Sequence, residues 1–315
     1  MLKYLGIMNK KERIMGGLVG LLVGDALGVP YEFHQPQSIP SLSEIEFQPP
    51  ENFQRSHSGV PLGTWSDDGG QALVLLDSLL TCGKFDVEHF AKGLIAWHDR
   101  DFMWVDELFD IGVQTQKSII RLKKGINPHL AGGTDDRSNG NGSLMRVLPL
   151  ALWHKGTDLE LVANAFEQSQ VTHGHLRSQL CCALYCLWTR NILNETENAW
   201  EKAVETIRET FAENTIERIE FEAQIEPDAL HYPEGSGYVV DSLFSTRWAM
   251  NSGNYEQVVK SAISLGNDTD TTACIAGGIA GVRDGIEAIP IRWRENLRGR
   301  EIYEPLLEKL IEFAE

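Results

Sequence analysis

Gly17, Gly20, Gly24 and Gly28 recur every three or four residues through an apolar segment near the start of the chain. Residues with this spacing lie on one face of an α-helix. Because glycine lowers helix propensity, a helix face made of glycines needs a structural reason. We expect a second helix to pack closely against this face.

Helical periodicity continues along the rest of the chain. Asp68 opens a segment with leucines on one side, and Gly83 stands where that helix is expected to end. Asp86 is a predicted N-cap, and Thr157 with Glu160 forms a predicted capping box. The pattern predicts helices over 68–82, 87–97, 105–123, 158–169, 175–190, 195–213, 238–251, 255–264, 270–283 and 302–314.

Strand signals are sparse, and they are confined to 45–47 and to 218–225, where apolar and polar residues alternate. No linker and no internal repeat divides the chain. We therefore expect a compact, multi-helical, all-α fold in one domain over residues 1–315. Two long irregular segments, 29–66 and 126–143, are typical of functional loops in such a domain.

Acidic residues outnumber basic ones, 45 to 28, and the net charge is −17. Such a surface repels a phosphate backbone, so we expect no nucleic-acid partner. The apolar stretch Ile14–Val23 is too short to cross a bilayer, and Asp25 follows it without a small-residue cleavage site. The five cysteines include no Cys-x-x-Cys pair and are expected to be buried free thiols. We expect a cytoplasmic protein with no membrane partner.

Two acidic clusters far apart in the chain stand just before predicted helices. The first holds Asp67 and Asp68, the second holds Asp268 and Asp270, and each lies beside a hydroxyl residue. Either cluster alone could be an ordinary helix cap. Together they provide the hard oxygen ligands that Mg²⁺ or Mn²⁺ prefers. Four neighbouring carboxylates without a cation would also repel one another.

Two further motifs are weaker by themselves. The segment 138–146 is rich in glycine and asparagine and leads into a helix, so its backbone could approach a phosphate. His173 and His175 form a His-x-His pair, but no cysteine or third histidine nearby completes a zinc site. A hydrogen bond to a ligand, or the capping of the next helix, is the favoured role for these histidines.

Taken in order, these motifs resemble the ADP-ribosylglycohydrolase family, which includes the ADP-ribosylarginine hydrolases and the dinitrogenase reductase-activating glycohydrolase. The similarity runs from about Ile14 to Asp284, and it rests on 20–28 with Glu32, then on 66–68, 141–146, 172–175 and 266–271. The resemblance implies an all-α fold and two divalent cations, Mg²⁺ or Mn²⁺. It also implies hydrolysis of the N-glycosidic bond between ADP-ribose and a protein side chain, with arginine favoured. The implied partners are a mono-ADP-ribosylated protein and the product ADP-ribose.

The resemblance also implies roles for single residues. The implied metal ligands are Ser66, Asp67, Asp68, Asp268, Asp270 and Thr271. The implied ligand-binding residues are Glu32, Asn141, Gly142, Ser143, His173 and Tyr238. The candidate catalytic carboxylates are Asp110, Asp67, Asp68 and Glu32.

Two of these assignments have ordinary structural alternatives. Tyr238 matches an aromatic residue that can stack on adenine, but it could be a core tyrosine. Asp110 resembles the acidic residue near the scissile bond of arginine-directed members, but it could be a helix-surface aspartate. Gly69 departs from the Thr or Ser that many relatives carry after the two aspartates, which removes one hydroxyl beside the first metal.

Two other functions fit parts of the sequence. An all-helical, metal-dependent phosphohydrolase would use His98 and Asp99, with His173 and His175 as further ligands. That alternative leaves both acidic clusters without a role. A non-catalytic relative that only binds ADP-ribose would have little reason to keep every candidate metal ligand.

Overall fold

The computed structural model describes residues 8–100 and 102–314. Within these ranges it has isolated β-bridges but no β-strand, which confirms the all-α prediction. In chain order the helices are α1 (Lys10–Gly28), α2 (Asp67–Cys82), α3 (Val87–Asp99), α4 (Val113–Lys123), α5 (Leu148–Trp153), α6 (Asp158–Gln170), α7 (Leu176–Leu193), α8 (Ala199–Thr210), α9 (Ile216–Glu220), α10 (Val239–Ala249), α11 (Tyr255–Ser264), α12 (Thr269–Asp284), α13 (Ile291–Asn296) and α14 (Arg300–Ala314). One continuous hydrophobic core joins all of them except α9, which has no buried residue.

The centre of the fold is the antiparallel pair α1 and α12. Gly20 faces Gly277 so closely that a methyl group on Gly20 would stand 2.5 Å from the Gly277 carbonyl oxygen. Farther along α1, Gly24 faces the backbone of Ala273. The glycine face of α1 is therefore a surface of backbone-to-backbone contact, as its spacing predicts.

The segment Lys10–Tyr31 is long and apolar enough, by composition alone, to cross a membrane. Nearly all of it is buried inside the protein, where α12 covers it. A helix that is apolar on every side is also what the core of a large globular domain requires.

The predicted helix ends agree with the structure at several caps. Gly83 ends α2 in the left-handed conformation, with φ of 65°. The Asp86 side chain accepts a hydrogen bond from the His89 amide at the start of α3. Thr157 and Glu160 form the reciprocal capping box of α6. All five cysteines are free, and all but the half-buried Cys82 are buried.

The predicted strand at 218–225 is wrong, because this segment continues α9 into a π-helical turn, Phe221–Ile225. Phe221 and Ile225, four residues apart, are both buried, whereas Ile219 is exposed. The alternation of polar and apolar residues was therefore coincidental, and the burial follows the helical spacing. The segment 45–47 also forms no strand, although Ile45 is buried.

The helix predicted over 105–123 begins only at Val113, because the residues before it are irregular. Asp110 has φ of 59°, a left-handed value that an α-helix does not accommodate. This correction matters for function, since it places Asp110 on a loop rather than on a helix surface. The short helices α5 and α13 were not predicted, because six residues are too few to show a period.

Candidate active site

The two acidic clusters meet at one cavity of about 690 Å³, which Asp67, Asp68 and Asp268 line. Asp270 does not line the cavity, but its carboxylate lies within 4.8 Å of those of Glu32 and Asp268, which do. The clusters meet there because α2 and α12 begin at the same end of the core, with Ser66 and Asp268 as their N-cap residues. The predicted site residues that line the cavity are Glu32, Asp67, Asp68, Asp110, Asn141, Gly142, His173, Asp268 and Thr271.

Asp25 fixes the start of α2 in this position. It lies on α1, it is fully buried, and its Oδ1 and Oδ2 accept hydrogen bonds from the amides of Ser66 (2.9 Å) and Gly69 (2.8 Å). The start of α12 is tied to the same helix, because the Thr269 hydroxyl donates to the Gly28 carbonyl at 2.8 Å. Helix α1 therefore holds both acidic clusters in place.

The first cluster has one satisfied and one unsatisfied carboxylate. Asp67 Oδ2 accepts a hydrogen bond from Gln71 Nε2 at 2.7 Å. Asp68 Oδ1 receives a long bond, 3.4 Å, from the Thr271 hydroxyl. The other oxygen of Asp68 is buried and has no hydrogen-bond partner.

The second cluster follows the same pattern. Asp268 Oδ2 accepts from Asn141 Nδ2 at 2.8 Å, and that amide also donates to the Ser242 hydroxyl. Asp270 Oδ1 accepts from the Thr271 amide at 2.8 Å, whereas its Oδ2 is buried without a partner. Burying a carboxylate oxygen without a hydrogen-bond partner costs free energy. Each cluster therefore contains one oxygen atom whose burial a bound ligand would stabilise.

Electrostatics support a cation at this place. Burial raises the pKa values of Asp67, Asp68 and Asp270 well above the usual range, and neighbouring carboxylates raise them further. Carboxylate oxygens of Glu32, Asp268 and Asp270 lie within 4.8 Å of one another, close enough to share an ion. The oxygen-rich donor set and the two orphaned oxygens fit a hard divalent cation such as Mg²⁺ or Mn²⁺.

A third group of side chains lies at the mouth of the cavity. Glu32 Oε2 and His57 Nε2 are 2.6 Å apart, and Asp110 Oδ1 is 3.9 Å from the same nitrogen. The His57 ring lies between the rings of Phe33 and Phe109, with centroid distances of 5.7 and 5.2 Å. Burial raises the pKa of both carboxyl groups and lowers the pKa of His57.

Three residues of this group have left-handed backbones, with φ of 61° at Phe33, 49° at His57 and 59° at Asp110. Such conformations are unfavourable for residues other than glycine, and they cluster at binding and catalytic sites.

The loop 140–143 forms another wall of the cavity. A methyl group on Gly142 would stand 2.8 Å from His173 Cε1, so glycine is required for the loop to pass this ring. His173 Nδ1 is 2.8 Å from the Thr172 hydroxyl. Burial lowers the His173 pKa to about 3, and the ring is therefore neutral at physiological pH.

Some predicted site residues do not reach the cavity with their side chains. The Ser143 hydroxyl is buried and accepts from the Ser169 hydroxyl at 2.9 Å. The Ser66 hydroxyl caps α2. The Tyr238 hydroxyl accepts from Arg177 on the surface side, so Tyr238 is not a core tyrosine. His175 caps α7, which is one of the two roles that the sequence favoured.

Sequence reasoning assigned no role to Asp25, His57 or Gln71. The signal for Asp25 was present, since it is the single carboxylate within the apolar glycine-rich segment. A charge placed there must be satisfied inside the core. His57 lies in an irregular loop, and its proximity to Glu32 depends on tertiary folding.

The site of the alternative phosphohydrolase does not form. His98 bonds to Asp99 and approaches Lys123 at the surface. The three groups of possible metal ligands in residues 8–100 and 102–314 contain neither His98 nor the pair His173 and His175.

Comparison with known proteins identifies the family. A family model described as ADP-ribosylglycohydrolase matches residues 7–315. The chain belongs to the ADP-ribosylglycohydrolase family. This membership confirms the resemblance expected from the sequence, and it supports ADP-ribosyl glycohydrolase activity.

Individual members of the ADP-ribosylglycohydrolase family resemble the chain over most of its length. ADP-ribosylarginine hydrolase Tri1 of Pseudomonas putida (strain GB-1) is 30% identical over 308 residues, covering 96% of this chain and 79% of that protein. ADP-ribosyl-[dinitrogen reductase] glycohydrolase of Rhodospirillum rubrum is 24% identical, covering 91% and 90%. A solved structure titled ADP-ribosylglycohydrolase-related protein complex superposes with a TM-score of 0.78 at 29% identity, covering 98% of this chain and 100% of that one.

Proposed function

We propose that this protein is a metal-dependent ADP-ribosylarginine hydrolase. It cleaves the N-glycosidic bond between C1″ of the distal ribose and the arginine guanidinium, and it releases ADP-ribose from a mono-ADP-ribosylated protein. The observation that carries the proposal is the convergence of both acidic clusters, with Asp68 Oδ2 and Asp270 Oδ2 unpartnered, on a cavity that Asp110 also lines. The arginine linkage is supported by the similarity to Tri1.

Two divalent cations, Mg²⁺ or Mn²⁺, fit the donor set. The residues that would hold them are Asp67, Asp68, Asp268, Asp270 and Thr271, of which Asp68 and Asp270, each with an unpartnered oxygen, are the strongest candidates. Ser66 would join them only if its hydroxyl turned from the cap of α2 toward the ion. When bound, the cations orient the hydroxyls of the ribose and polarise water.

We assign the leaving-group side of the cavity to Asp110, which lines it. A carboxylate can hold a guanidinium through two parallel hydrogen bonds, which favours arginine over serine as the modified residue. Because burial raises its pKa to about 7, Asp110 can hold or release a proton near neutral pH. It therefore suits the role of general acid or base for the guanidine nitrogen that leaves.

The other carboxylates act on the sugar. Positive charge accumulates on the ribose ring as the glycosidic bond breaks, so carboxylates around the cavity that are ionised when the cations are bound would stabilise the transition state. Glu32, held by His57, lines the cavity, and we assign the binding of ribose and phosphates to the wall that Asn141 and Gly142 form.

The cellular setting is part of the same proposal. Five free cysteines are typical of a reducing compartment, which supports a cytoplasmic location. The net charge of −17 supports a protein substrate in preference to a nucleic acid.

The experiment compares Asp110→Ala with the parent on ADP-ribosyl-arginine and ADP-ribosyl-serine peptides, with Mn²⁺ or with a chelator, by mass spectrometry. We expect metal-dependent release of ADP-ribose from arginine, and a loss on the order of a hundredfold or more in the variant, as for removal of a general acid or base. Asp106→Asn is the control, because its carboxyl group pairs with Arg298 outside the cavity. Undiminished turnover by Asp110→Ala would remove Asp110 from the mechanism. Binding of ADP-ribose without any turnover would show that the protein is a non-catalytic relative that only binds ADP-ribose.

A further inference from the structure

Arg146 is a charged side chain with no exposed surface. Its guanidinium donates to Gln71 Oε1 at 2.8 Å and to the side-chain and backbone oxygens of Gln168 at 3.1 and 2.8 Å, and it lies over the Phe90 ring. None of the ion pairs among the residues described includes it. Burial lowers its pKa only to about 10, so the group stays charged at neutral pH. A buried charge without an ionic partner is costly, and a functional reason is expected.

The contacts of Arg146 decide how the amide of Gln71 is oriented. A guanidinium can only donate hydrogen bonds, so the atom of Gln71 that faces it must be the oxygen. The amide nitrogen then points the other way, and it donates to Asp67 Oδ2 at 2.7 Å. Gln71 is fully buried and cannot exchange these partners for water. The chain of contacts therefore runs in one direction, from Arg146 through Gln71 to Asp67.

This chain of contacts uses one oxygen of Asp67 and leaves the other available. Asp67 Oδ2 is occupied by Gln71, whereas Oδ1 makes no hydrogen bond to another side chain or to the backbone in the part of the chain described. Asp67 lines the cavity beside Asp68. The buried positive charge also partly offsets the repulsion that Asp67 receives from the surrounding carboxylates.

We infer that Arg146 and Gln71 are positioning residues, which hold Asp67 in the single orientation that presents Oδ1 to a divalent cation. The inference rests on the proposed function, because it takes Asp67 as a metal ligand. Residues that hydrogen-bond to metal ligands commonly change metal affinity by 10- to 100-fold when they are replaced. Arg146 stabilises the fold as well, so the test must separate affinity for the metal from stability.

The experiment uses three variants of the full chain. Gln71→Glu keeps an acceptor for Arg146 but replaces the donor to Asp67 by a second carboxylate, whose repulsion turns Asp67 away or makes the pair share a proton. Gln71→Leu removes both contacts. Gln168→Glu is the matched control, because it also places a new carboxylate against Arg146 and leaves the bond from Gln71 to Asp67 intact.

The primary measurement is binding of Mn²⁺ to substrate-free protein, followed by the electron paramagnetic resonance signal of the free ion. Thermal unfolding without metal is measured in parallel. We expect both Gln71 variants to bind Mn²⁺ at least about tenfold more weakly than the parent, and Gln168→Glu to stay within about threefold. A kinetic split follows, in which excess Mn²⁺ restores part of kcat for Gln71→Leu with little change in KM.

The inference is overturned if Gln71→Glu binds Mn²⁺ as tightly as the parent. It is also overturned if Gln168→Glu loses as much affinity as the Gln71 variants, because the effect then reflects the general environment of Arg146. Failure of the parent to bind Mn²⁺ would sink the metal centre together with this inference. Normal metal binding and hydrolysis by the parent, with unaffected Gln71 variants, would sink this inference alone.

Discussion

The two ends of the helix pair α1 and α12 differ in what they bring together. At one end, Gly16 and Gly281 bring the two backbones into direct contact, and the nearby Arg13 side chain donates to the carbonyls of Val282 and Arg283. At the other end, Gly28 meets the backbone of Asp270, and the carboxylates of Asp25 and Asp68 lie close by. One contact surface therefore changes within a few turns from close apolar packing to a concentration of buried negative charge.

The comparison shows how stability and function are divided in this fold. Close packing at the glycine end gives the helices one fixed separation. At the acidic end that rigidity holds close together carboxyl groups that repel one another when they are ionised, and protons or cations relieve this repulsion. Changes at the two ends should consequently have effects of opposite sign on stability.

The largest effect is expected at the glycine end. Gly281→Ala would drive a methyl group into the carbonyl of Gly16, and neither backbone can move without displacing its helix. Overpacking of this kind should lower the free energy of unfolding by about 3 kcal/mol or more. Urea denaturation measures it, and Gly59→Ala is the control because nothing lies near that position. A variant at Gly281 as stable as the parent would show that the helix contact is not tight.

The next effect is expected at the acidic end, with the opposite sign. Asp68→Asn removes a charge whose second oxygen has no partner, so the metal-free protein should gain on the order of 1 kcal/mol of stability. Hydrolysis should fall on the order of a hundredfold or more, because a predicted metal ligand is lost. Thermal unfolding and turnover are measured on one preparation, with the exposed Asp228→Asn as the control. If Asp68→Asn lowered both the stability of the metal-free protein and its hydrolysis, the proposed difference between the glycine end and the acidic end would be wrong.

The smallest effect concerns pH. Asp25 and Asp110 have pKa values raised to about 7, so the folded state keeps protons that the unfolded state releases above pH 4. Their contribution to stability therefore falls as pH rises toward 7. The half-buried His57 and the buried His173, whose pKa values are lowered, act in the opposite direction. The difference in Tm with and without Mn²⁺ isolates the acidic end, because the ion needs ionised ligands.

We expect that difference to grow by a few degrees between pH 5.5 and pH 8, in line with about 1.4 kcal/mol per unit of pKa shift. The variant Asp270→Asn should show a flatter dependence. A difference in Tm that stays constant across this range would show that the carboxylates are already ionised at the lower pH.

Local sequence patterns determined most of the helices. The caps at Asp86 and at Thr157 with Glu160 work through hydrogen bonds within one turn, so neighbouring residues suffice to predict them. The errors fell where the long-range environment overrides the local pattern. The segment 218–225 alternates like a strand, yet Phe221 and Ile225 are buried at a helical spacing.

The sequence by itself determined the spacing of the glycines and the order of the motifs, and with them the all-α fold and the family. Only the tertiary structure decided which carboxylate oxygens lack a partner, that Asp25 anchors the start of α2, and that hydrogen bonds connect Arg146 to Asp67 through Gln71. The reason is physical. Helix propensity and capping depend on residues within a few positions, whereas the burial of a charge depends on which distant segments exclude water from it.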